Sequence, residues 1–390
     1  MRVRRQKRVV VVGGAGETCR WVVRTAAQSE LIYDLVVTDA DLGRARAICN
    51  EAGGPTRAVL LDITDELSLR ALLEVSDVVL NISAPFAIHG HSILSVAIEY
   101  GCDYLDIDDD SESTLSDFEF DSAAKSSGVR AIKGMGASPG VSNLLAGLAT
   151  AELDQVDTLL TGWKIADAKS DPEIGVAEQS AALVDWLCKS NRNIYTWENS
   201  RCENAEPLTY MEIDLPEFGR HPVYTGGRAG PVTLARSIPV RGAILSVMSG
   251  PEWVFDALGA ISHGSAIEGT DFGQAKGRLT TASRTAEIEV CHDPLPPFWA
   301  LANGMRDGKN EQVLSVFTQR LSGSMGGAAG IALAVALHLL LEGCVESFGV
   351  MAPEMALNPV TFFRRVEAVM NDCSVNDQSS LRIIHSQLVS

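Results

Sequence analysis

Short runs of apolar residues alternate with helix-like segments from residue 9 to about residue 135. The first run lies in "RVVVVGG" and the last in "VRAIKGMG", and apolar residues recur at helical spacing between them. Strands that are connected through helices pair in parallel, and nearly continuous apolar runs indicate strands buried on both faces. The pattern therefore predicts a doubly wound α/β domain with helices on both sides of a parallel sheet.

A glycine-rich turn joins the first predicted strand to the first predicted helix. The start of a helix offers unpaired N–H groups and the positive end of the helix dipole, and both suit a pyrophosphate. Cys19 stands where the usual fingerprint has its third small residue, and it is small enough to let the helix pack on the sheet. The candidate phosphate-binding residues are Gly13, Gly14, Gly16, Glu17 and Thr18.

An acidic residue, Asp39 in "LVVTDAD", ends the second predicted strand. A carboxylate at this place accepts hydrogen bonds from the ribose hydroxyls of NAD. The alternative interpretation is that Asp39 caps the helix through "LGRARAI". Strand, turn, helix and acid occur in the order that dinucleotide binding requires, so we favour that interpretation. Asp39 favours NAD as the cofactor, and Arg44 and Arg46 leave NADP as the alternative.

Five stretches resemble the saccharopine dehydrogenase-like family of NAD(P)-dependent oxidoreductases, which includes lysine 6-dehydrogenase and the carboxynorspermidine dehydrogenases. They are "GGAGETCRWVVRTAA", "DVVLNISAPF", "YLDIDDD", "VRAIKGMGASPGVSNLLAG" and "SGSMGGAAGIALAVALHLLLEGCVESFGVMAPEMALNPVTFF". The resemblance implies hydride transfer between a nicotinamide and a carbon–nitrogen bond of an amino acid or polyamine. It covers both ends of the chain well, and residues 155–310 only loosely.

The family architecture implies three segments. They are a Rossmann-type dinucleotide-binding domain over residues 1–136, an inserted mixed α/β domain over 137–330 that binds substrate and forms a dimer, and a return to the Rossmann domain over 331–390. The sequence agrees, because segments after Asn143 become longer and alternate less. We therefore expect the protein to form a homodimer. We also expect it to bind a small amino-acid-like or polyamine-like substrate.

Residues after the third and fourth strands complete the predicted cofactor site, because ligands of an open α/β sheet lie beyond the carboxyl ends of its strands. The resemblance places "NISAPF" beneath the nicotinamide ribose. The alternative is an ordered loop without a ligand. The further candidate cofactor contacts are Asp62, Asn81, Ser83, Ala84 and Pro85.

Two acids in "DYLDID" are candidate catalytic residues. The alternation of a strand places Tyr104, Asp106 and Asp108 on one face. A carboxylate at the active edge accepts a proton from a substrate ammonium when burial tunes its pKa. The alternative is that these acids are a solvated start of a helix. We predict catalytic roles for Asp106 and Asp108.

Cationic residues of the inserted domain are candidates for holding the substrate. The stretch "FGRHPVYTGGRAGPVTLARSIPVRG" contains several arginines in an otherwise acidic protein. A guanidinium binds a carboxylate through two parallel hydrogen bonds, whereas pairing with surface carboxylates is the alternative. The candidate catalytic and substrate-binding residues are His221, Arg228 and Arg236, with Arg236 and His221 as the preferred pair.

Composition excludes other classes of function. The formal charge of −18 opposes binding to nucleic acid or to an anionic membrane surface, and the apolar runs are too short to cross a bilayer. The eight cysteines form no C-x-x-C pair, which indicates reduced thiols in a cytoplasmic protein. His89 and His91 have no companion ligands nearby, so we predict no metal site.

Two other functions remain open. An enoyl reductase of the same family would act on a C=C bond and would need an apolar substrate cavity with few arginines. A protein that binds NAD without turnover would exchange no hydride with any amine. Where relatives often carry Asp and Cys, this chain has Ser138 and Met135, which argues against proton transfer by a thiol.

Overall fold

The computed structural model of the chain describes residues 5–13, 16–164, 194–250, 255, 295–321, 325–370 and 379–387. Two compact units divide the chain: the first comprises Met1–Gly147 with Arg320–Ser380, and the second comprises Leu148–Gln319 with Leu381–Ser390. The chain therefore passes between the units after residues 147, 319 and 380, where the sequence predicted divisions after residues 136 and 330.

The first unit contains a seven-stranded parallel sheet. Its strands, numbered along the chain, are β1 (Lys7–Val12), β2 (Ile32–Asp39), β3 (Thr56–Leu60), β4 (Val78–Asn81), β5 (Asp103–Asp106), β6 (Arg130–Ile132) and β15 (Gly349–Met351). Their order is β3-β2-β1-β4-β5-β6-β15, and every neighbouring pair is parallel. The order reverses between β1 and β4, so their carboxyl ends form the switch point at which such sheets bind ligands. The predicted Rossmann-type sheet is confirmed.

Apolar side chains on both faces of this sheet are covered by helices. Val9, Val10, Val11 and Val12 have no exposed surface, as expected for a strand at the centre of a parallel sheet. The α-helices in the described part of the chain are α1 (Glu17–Ala26), α2 (Leu42–Ala52), α3 (Glu66–Leu73), α4 (Phe86–Glu99), α5 (Ser111–Asp117), α6 (Asp121–Ser127), α7 (Val141–Ala151), α8 (Gly230–Ser237), α9 (Met325–Leu341), α10 (Pro353–Ala356) and α11 (Pro359–Met370).

Two glycines of the C-terminal stretch allow α9 to pack closely on α1. A Cβ on Gly326 would lie 2.8 Å from Cγ of Glu17, and a Cβ on Gly330 would lie 2.7 Å from the carbonyl oxygen of Thr18. Larger residues would separate the helices, so the glycine-rich sequence before the apolar helix has a packing reason. Within the described ranges, no helix is both long enough and apolar enough to cross a membrane.

The second unit contains a mixed sheet. Its strands are β7 (Gln155–Lys164), β8 (Ile194–Glu198), β9 (Arg201–Ala205), β10 (Tyr210–Leu215), β11 (Gly219–Thr225), β12 (Val240–Ser249), β13 (Phe298–Arg306), β14 (Lys309–Phe317) and β16 (Leu381–Gln387). The main order is β10-β11-β12-β7-β13-β14-β16, with β8 beside β12 and β9 beside β8. β12 and β7 pair in parallel, and the other pairs are antiparallel. Helix α8 packs on β12 and β8, so the predicted mixed α/β domain is confirmed.

Candidate dinucleotide site and buried ion cluster

The turn after β1 lies directly against the loop after β4. Gly13 has a φ of +87°, and a Cβ on it would lie 2.5 Å from Cα of Ser83. A side chain at this position would strain the backbone and separate the two loops. The structure therefore brings two predicted cofactor residues, Gly13 and Ser83, together at the switch point. Gly14 and Ala15 lie outside the described residues.

The start of α1 is open on the side where a phosphate is expected. Gly16 is the N-cap residue, and no side chain caps the helix. A Cβ on Gly16 would meet no atom of the described residues within 4 Å, so packing against them does not require a glycine there. Bare backbone at a helix N-terminus suits the close approach of a pyrophosphate. Glu17 and Thr18 form the first turn and also contact α9, as described above.

The two predicted acids after β2 and β3 have different surroundings. Asp39 ends β2, is half-buried, and accepts a hydrogen bond from the N–H of Asp41 at 2.8 Å. Asp41 is the residue that caps α2, so the alternative interpretation of Asp39 as the cap is wrong. Asp62 is exposed and accepts hydrogen bonds from the hydroxyl and the N–H of Thr64, which lower the pKa of Asp62.

The loop after β4 is tied to the sheet by a buried amide. Asn81 Oδ1 accepts hydrogen bonds from the N–H of Ser83 at 3.1 Å and from its hydroxyl at 2.6 Å. Asn81 Nδ2 donates to the Tyr104 hydroxyl at 2.9 Å. Ala84 and Pro85 follow on the exposed side, joined by a cis peptide bond. Contact of this loop with a cofactor stays a prediction.

The two predicted catalytic acids belong to a buried ion cluster, formed by Asp106, Asp108, Asp117 and Lys133, whose side chains have no exposed surface. The Lys133 ammonium contacts all three carboxylates, at 3.2 Å for Asp108 and 2.6 Å for Asp117, and it also contacts Asp106. The Tyr104 hydroxyl bonds Asp106 Oδ2 at 2.9 Å, which confirms that these residues share one face of β5. Lys133 donates hydrogen bonds to Asp106 and Asp108, whereas its contact with Asp117 Oδ2 is an ion pair that does not meet hydrogen-bond geometry.

Burial acts in opposite directions on the members of this cluster. It raises the pKa of Asp106 and of Tyr104, because each charged form would lose its hydration. Burial alone would lower the pKa of Lys133, but the surrounding carboxylates, Asp106 first, outweigh it and hold that pKa well above its ordinary value. Lys133 is therefore a permanent cation, and Tyr104 is a neutral phenol.

Further donors offset the excess of negative charge in the cluster. Asp108 accepts from the Ser113 hydroxyl at 2.6 Å, and Asp117 contacts Nδ1 of His91 at 3.1 Å. Oxygen atoms of the three carboxylates lie within 4.8 Å of one another, as in a cation site, and the ammonium of Lys133 contacts all three groups. A direct catalytic role for Asp106 or Asp108 stays a prediction.

Two residues of the ion cluster, Lys133 and Asp117, were not among the predicted site residues. Lys133 directly follows the buried strand β6 and has no exposed surface. A lysine beside a buried apolar strand is a usable signal, because such a residue is almost never buried without a partner. Asp117 lies on α5 and carries no comparable signal, since an acid on a helix is usually exposed.

The predicted substrate residues lie on three elements or loops of the second unit. Arg228 is buried before α8, with its guanidinium carbon 5.1 Å from the ring centroid of Trp163, and burial lowers the pKa of Arg228 to about 10. His221 lies on β11, with Nε2 2.8 Å from the carbonyl oxygen of Phe218. Arg236 is exposed in the last turn of α8. Their roles toward a substrate stay predictions.

The first part of the chain matches a known family of nucleotide-binding domains. Residues 9–132 match the family model of the saccharopine dehydrogenase NADP-binding domain. A probable mitochondrial saccharopine dehydrogenase-like oxidoreductase of Arabidopsis thaliana is 32% identical over 116 residues, which are 27% of this chain and 26% of that protein. The match thus spans about a quarter of that relative's length.

One solved structure shares the fold over nearly the whole chain. It is apo saccharopine dehydrogenase (L-Glu forming) from Saccharomyces cerevisiae, with a TM-score of 0.64 and 15% identity over 98% of this chain and 100% of that chain. At this identity the similarity establishes the fold alone.

The parallel sheet, its switch point and the glycine turn define a Rossmann-type dinucleotide-binding protein. The residues present fit the cofactor, because Gly13 allows the two loops to meet and Gly16 leaves the start of α1 open. Residues 9–132 form a domain of the saccharopine dehydrogenase NADP-binding family, and the chain is similar to saccharopine dehydrogenase-like proteins. The predicted NAD(P) cofactor is confirmed at the level of that family.

Proposed function

We propose that the protein is an oxidoreductase that uses NAD(P) to transfer a hydride at a carbon–nitrogen bond of an amino-acid-like substrate. The observation that carries this proposal is the burial of Arg228, a cation, in a protein with a formal charge of −18. A desolvated guanidinium binds a carboxylate more strongly than an exposed one does. The apolar substrate of an enoyl reductase offers no carboxylate for the Arg228 guanidinium to bind.

Different parts of the chain have different roles in the proposed reaction. NAD(P), when bound, supplies or accepts the hydride, and the protein must bind it, orient it and handle charge. In this proposal the open start of α1 binds the pyrophosphate, Asp39 binds the adenosine ribose, and the loop containing Ser83 orients the nicotinamide nucleoside. Arg228 binds the substrate carboxylate.

Asp106 and Asp108 enter this proposal through the ion cluster. Their carboxylates contact Lys133 and other donors inside the protein, so direct proton exchange with a substrate would require the cluster to open. We therefore assign Asp106 and Asp108 first a structural role, in which their carboxylates balance the charge of Lys133 beneath the strand ends where the nucleotide is proposed to bind. Proton transfer by either carboxylate is a secondary proposal.

A substrate screen tests the proposed reaction. We expect NAD(P)H to form with lysine, ornithine or a carboxyalkyl polyamine, or to be consumed when an amine and a keto acid are coupled reductively. Absorbance of the reduced nicotinamide reports both directions. Turnover confined to C=C substrates without a carboxylate would favour an enoyl reductase. Cofactor binding without any hydride exchange would favour a non-catalytic NAD-binding protein.

We expect the protein to bind NAD more tightly than NADP. The Asp39 carboxylate at the end of β2 would repel a 2′-phosphate, and Asp39→Asn should therefore shift the ratio of the two dissociation constants toward NADP by about tenfold. Calorimetric titration of both cofactors measures this ratio.

The matched control for this titration is Asp41→Asn. It removes the same charge two residues away while leaving a side chain that also caps a helix. The control should change the ratio little. Tighter binding of NADP to the unmodified protein, or equal shifts in the two variants, would contradict the assignment of Asp39.

A further inference from the structure

A continuous chain of buried hydrogen bonds connects the ion cluster to the loop after β4. The Tyr104 hydroxyl bonds Asp106 Oδ2, Asn81 Nδ2 bonds the Tyr104 hydroxyl, and the Ser83 hydroxyl bonds Asn81 Oδ1, at 2.9, 2.9 and 2.6 Å. Ser83 is 6% exposed, and the other three side chains are fully buried. Lys133 contacts the same oxygen of Asp106. The chain of bonds therefore begins at the ammonium and ends at the switch point.

The direction of the first bond follows from the other partners of Asp106. Lys133 and the backbone N–H groups of Gly134, at 2.7 Å, and of Asp108, at 3.2 Å, can only donate. Asp106 therefore accepts from all three groups, and the Tyr104 phenol, which keeps its proton, donates to Asp106 Oδ2 as well. The phenol oxygen in turn accepts from Asn81.

Two neighbours agree on the orientation of the Asn81 amide: the backbone N–H of Ser83 can only donate to its oxygen, and the phenol oxygen of Tyr104 accepts from its nitrogen. Its nitrogen faces Tyr104, so its oxygen faces Ser83 and accepts from both the N–H and the hydroxyl of that residue. The only proton of the Ser83 hydroxyl is then used inside the protein. Its lone pairs remain, and hydroxyl oxygen has two of them.

We propose that the ion cluster around Lys133, together with the backbone N–H of Ser83, holds the direction of this hydrogen-bond chain and thereby presents Ser83 Oγ to the nicotinamide nucleoside as an acceptor. The nucleoside carries matching donors, namely the ribose hydroxyls and the carboxamide N–H. The inference rests on the proposed function, which places the cofactor beside the loop of Ser83. Ser83 makes the contact, and Asn81, Tyr104 and Lys133 are positioning residues.

Tyr104→Phe tests the chain while preserving the volume of the core. Calorimetry compares NAD with ADP, which retains the adenosine and both phosphates but lacks the nicotinamide nucleoside. The dissociation constant of NAD should rise about tenfold, the loss of one oriented hydrogen bond, and that of ADP should change less than about twofold. Loss of both affinities together would mean a merely structural role and would overturn the proposal.

Thr38→Val is the matched control, because Thr38 is also fully buried in this sheet and its hydroxyl donates to the carbonyl of Val11 at 3.0 Å. It should affect NAD and ADP equally. Ser83→Ala leaves the cluster and Tyr104 intact, and it must show the same selective loss of NAD affinity even where Tyr104→Phe does not fold.

The double variant decides whether the two residues act through one chain. Ser83→Ala combined with Tyr104→Phe should bind NAD no more weakly than Ser83→Ala alone. Additive losses, or unchanged NAD affinity in Ser83→Ala, would overturn the proposal. Failure of the unmodified protein to bind any nicotinamide cofactor would instead contradict the proposed function.

Discussion

Lys133→Met is expected to destabilise the first unit by about 3–5 kcal/mol, because it leaves buried carboxylates without their cation. Asp106, Asp108 and Asp117 all contact the ammonium, and none of them reaches solvent. Methionine fills a similar volume, so the loss reports charge and not a cavity. Denaturant titration followed by circular dichroism measures the change in the unfolding free energy.

The control for this substitution is Lys125→Met in the same unit. Lys125 pairs with Asp121 at 2.6 Å, but 59% of its side chain is exposed. An exposed pair one helical turn apart contributes only about 0.5 kcal/mol or less. Equal losses in the two variants would contradict the importance of burial.

A second substitution separates lost charge from lost packing at Lys133. Asp117→Asn in the Lys133→Met chain removes one of the unpaired charges, and it should restore part of the stability. A further loss of stability in this double variant would show that packing, not charge, dominates at the cluster.

The first domain could be predicted because its signals are local. Four consecutive valines, a glycine turn and a helical pattern occur within a short stretch, and they predict β1, the turn and α1 without knowledge of distant contacts. Gly13 needs a positive φ, which only glycine adopts readily. The sequence did not identify Asp41, two residues after Asp39, as the cap of α2, because element boundaries inferred from a sequence shift by a residue or two.

The ion cluster could not be predicted because its members meet only through tertiary structure. Strand alternation correctly placed Tyr104 and Asp106 on one face, but alternation does not say whether that face meets solvent or the protein interior. Lys133 reaches Asp106 because β6 pairs with β5, and Asp117 arrives on α5. Among the arginines, spacing likewise could not separate buried Arg228 from exposed Arg236.

We expect Arg228→Ala to lower kcat/KM for an amino-acid substrate by at least about a hundredfold, chiefly through KM. Removing a buried guanidinium from a carboxylate costs about 2–5 kcal/mol, most of it in binding. Comparing lysine with 1,5-diaminopentane, which lacks the carboxylate, isolates this contact. Turnover of the diamine should be nearly unchanged by the substitution.

Two controls separate substrate binding from packing at Arg228. Arg220→Ala removes an arginine of the same stretch that is 78% exposed and 3.9 Å from Asp214, and it should leave KM unchanged. Arg228 also lies over Trp163, so thermal unfolding of Arg228→Ala must be measured alongside. A lower melting temperature with an unchanged KM would make Arg228 a packing residue. The buried cation would then give no reason to prefer an amino-acid substrate over an apolar one. Enoyl reduction would become the favoured hypothesis for the function of this protein.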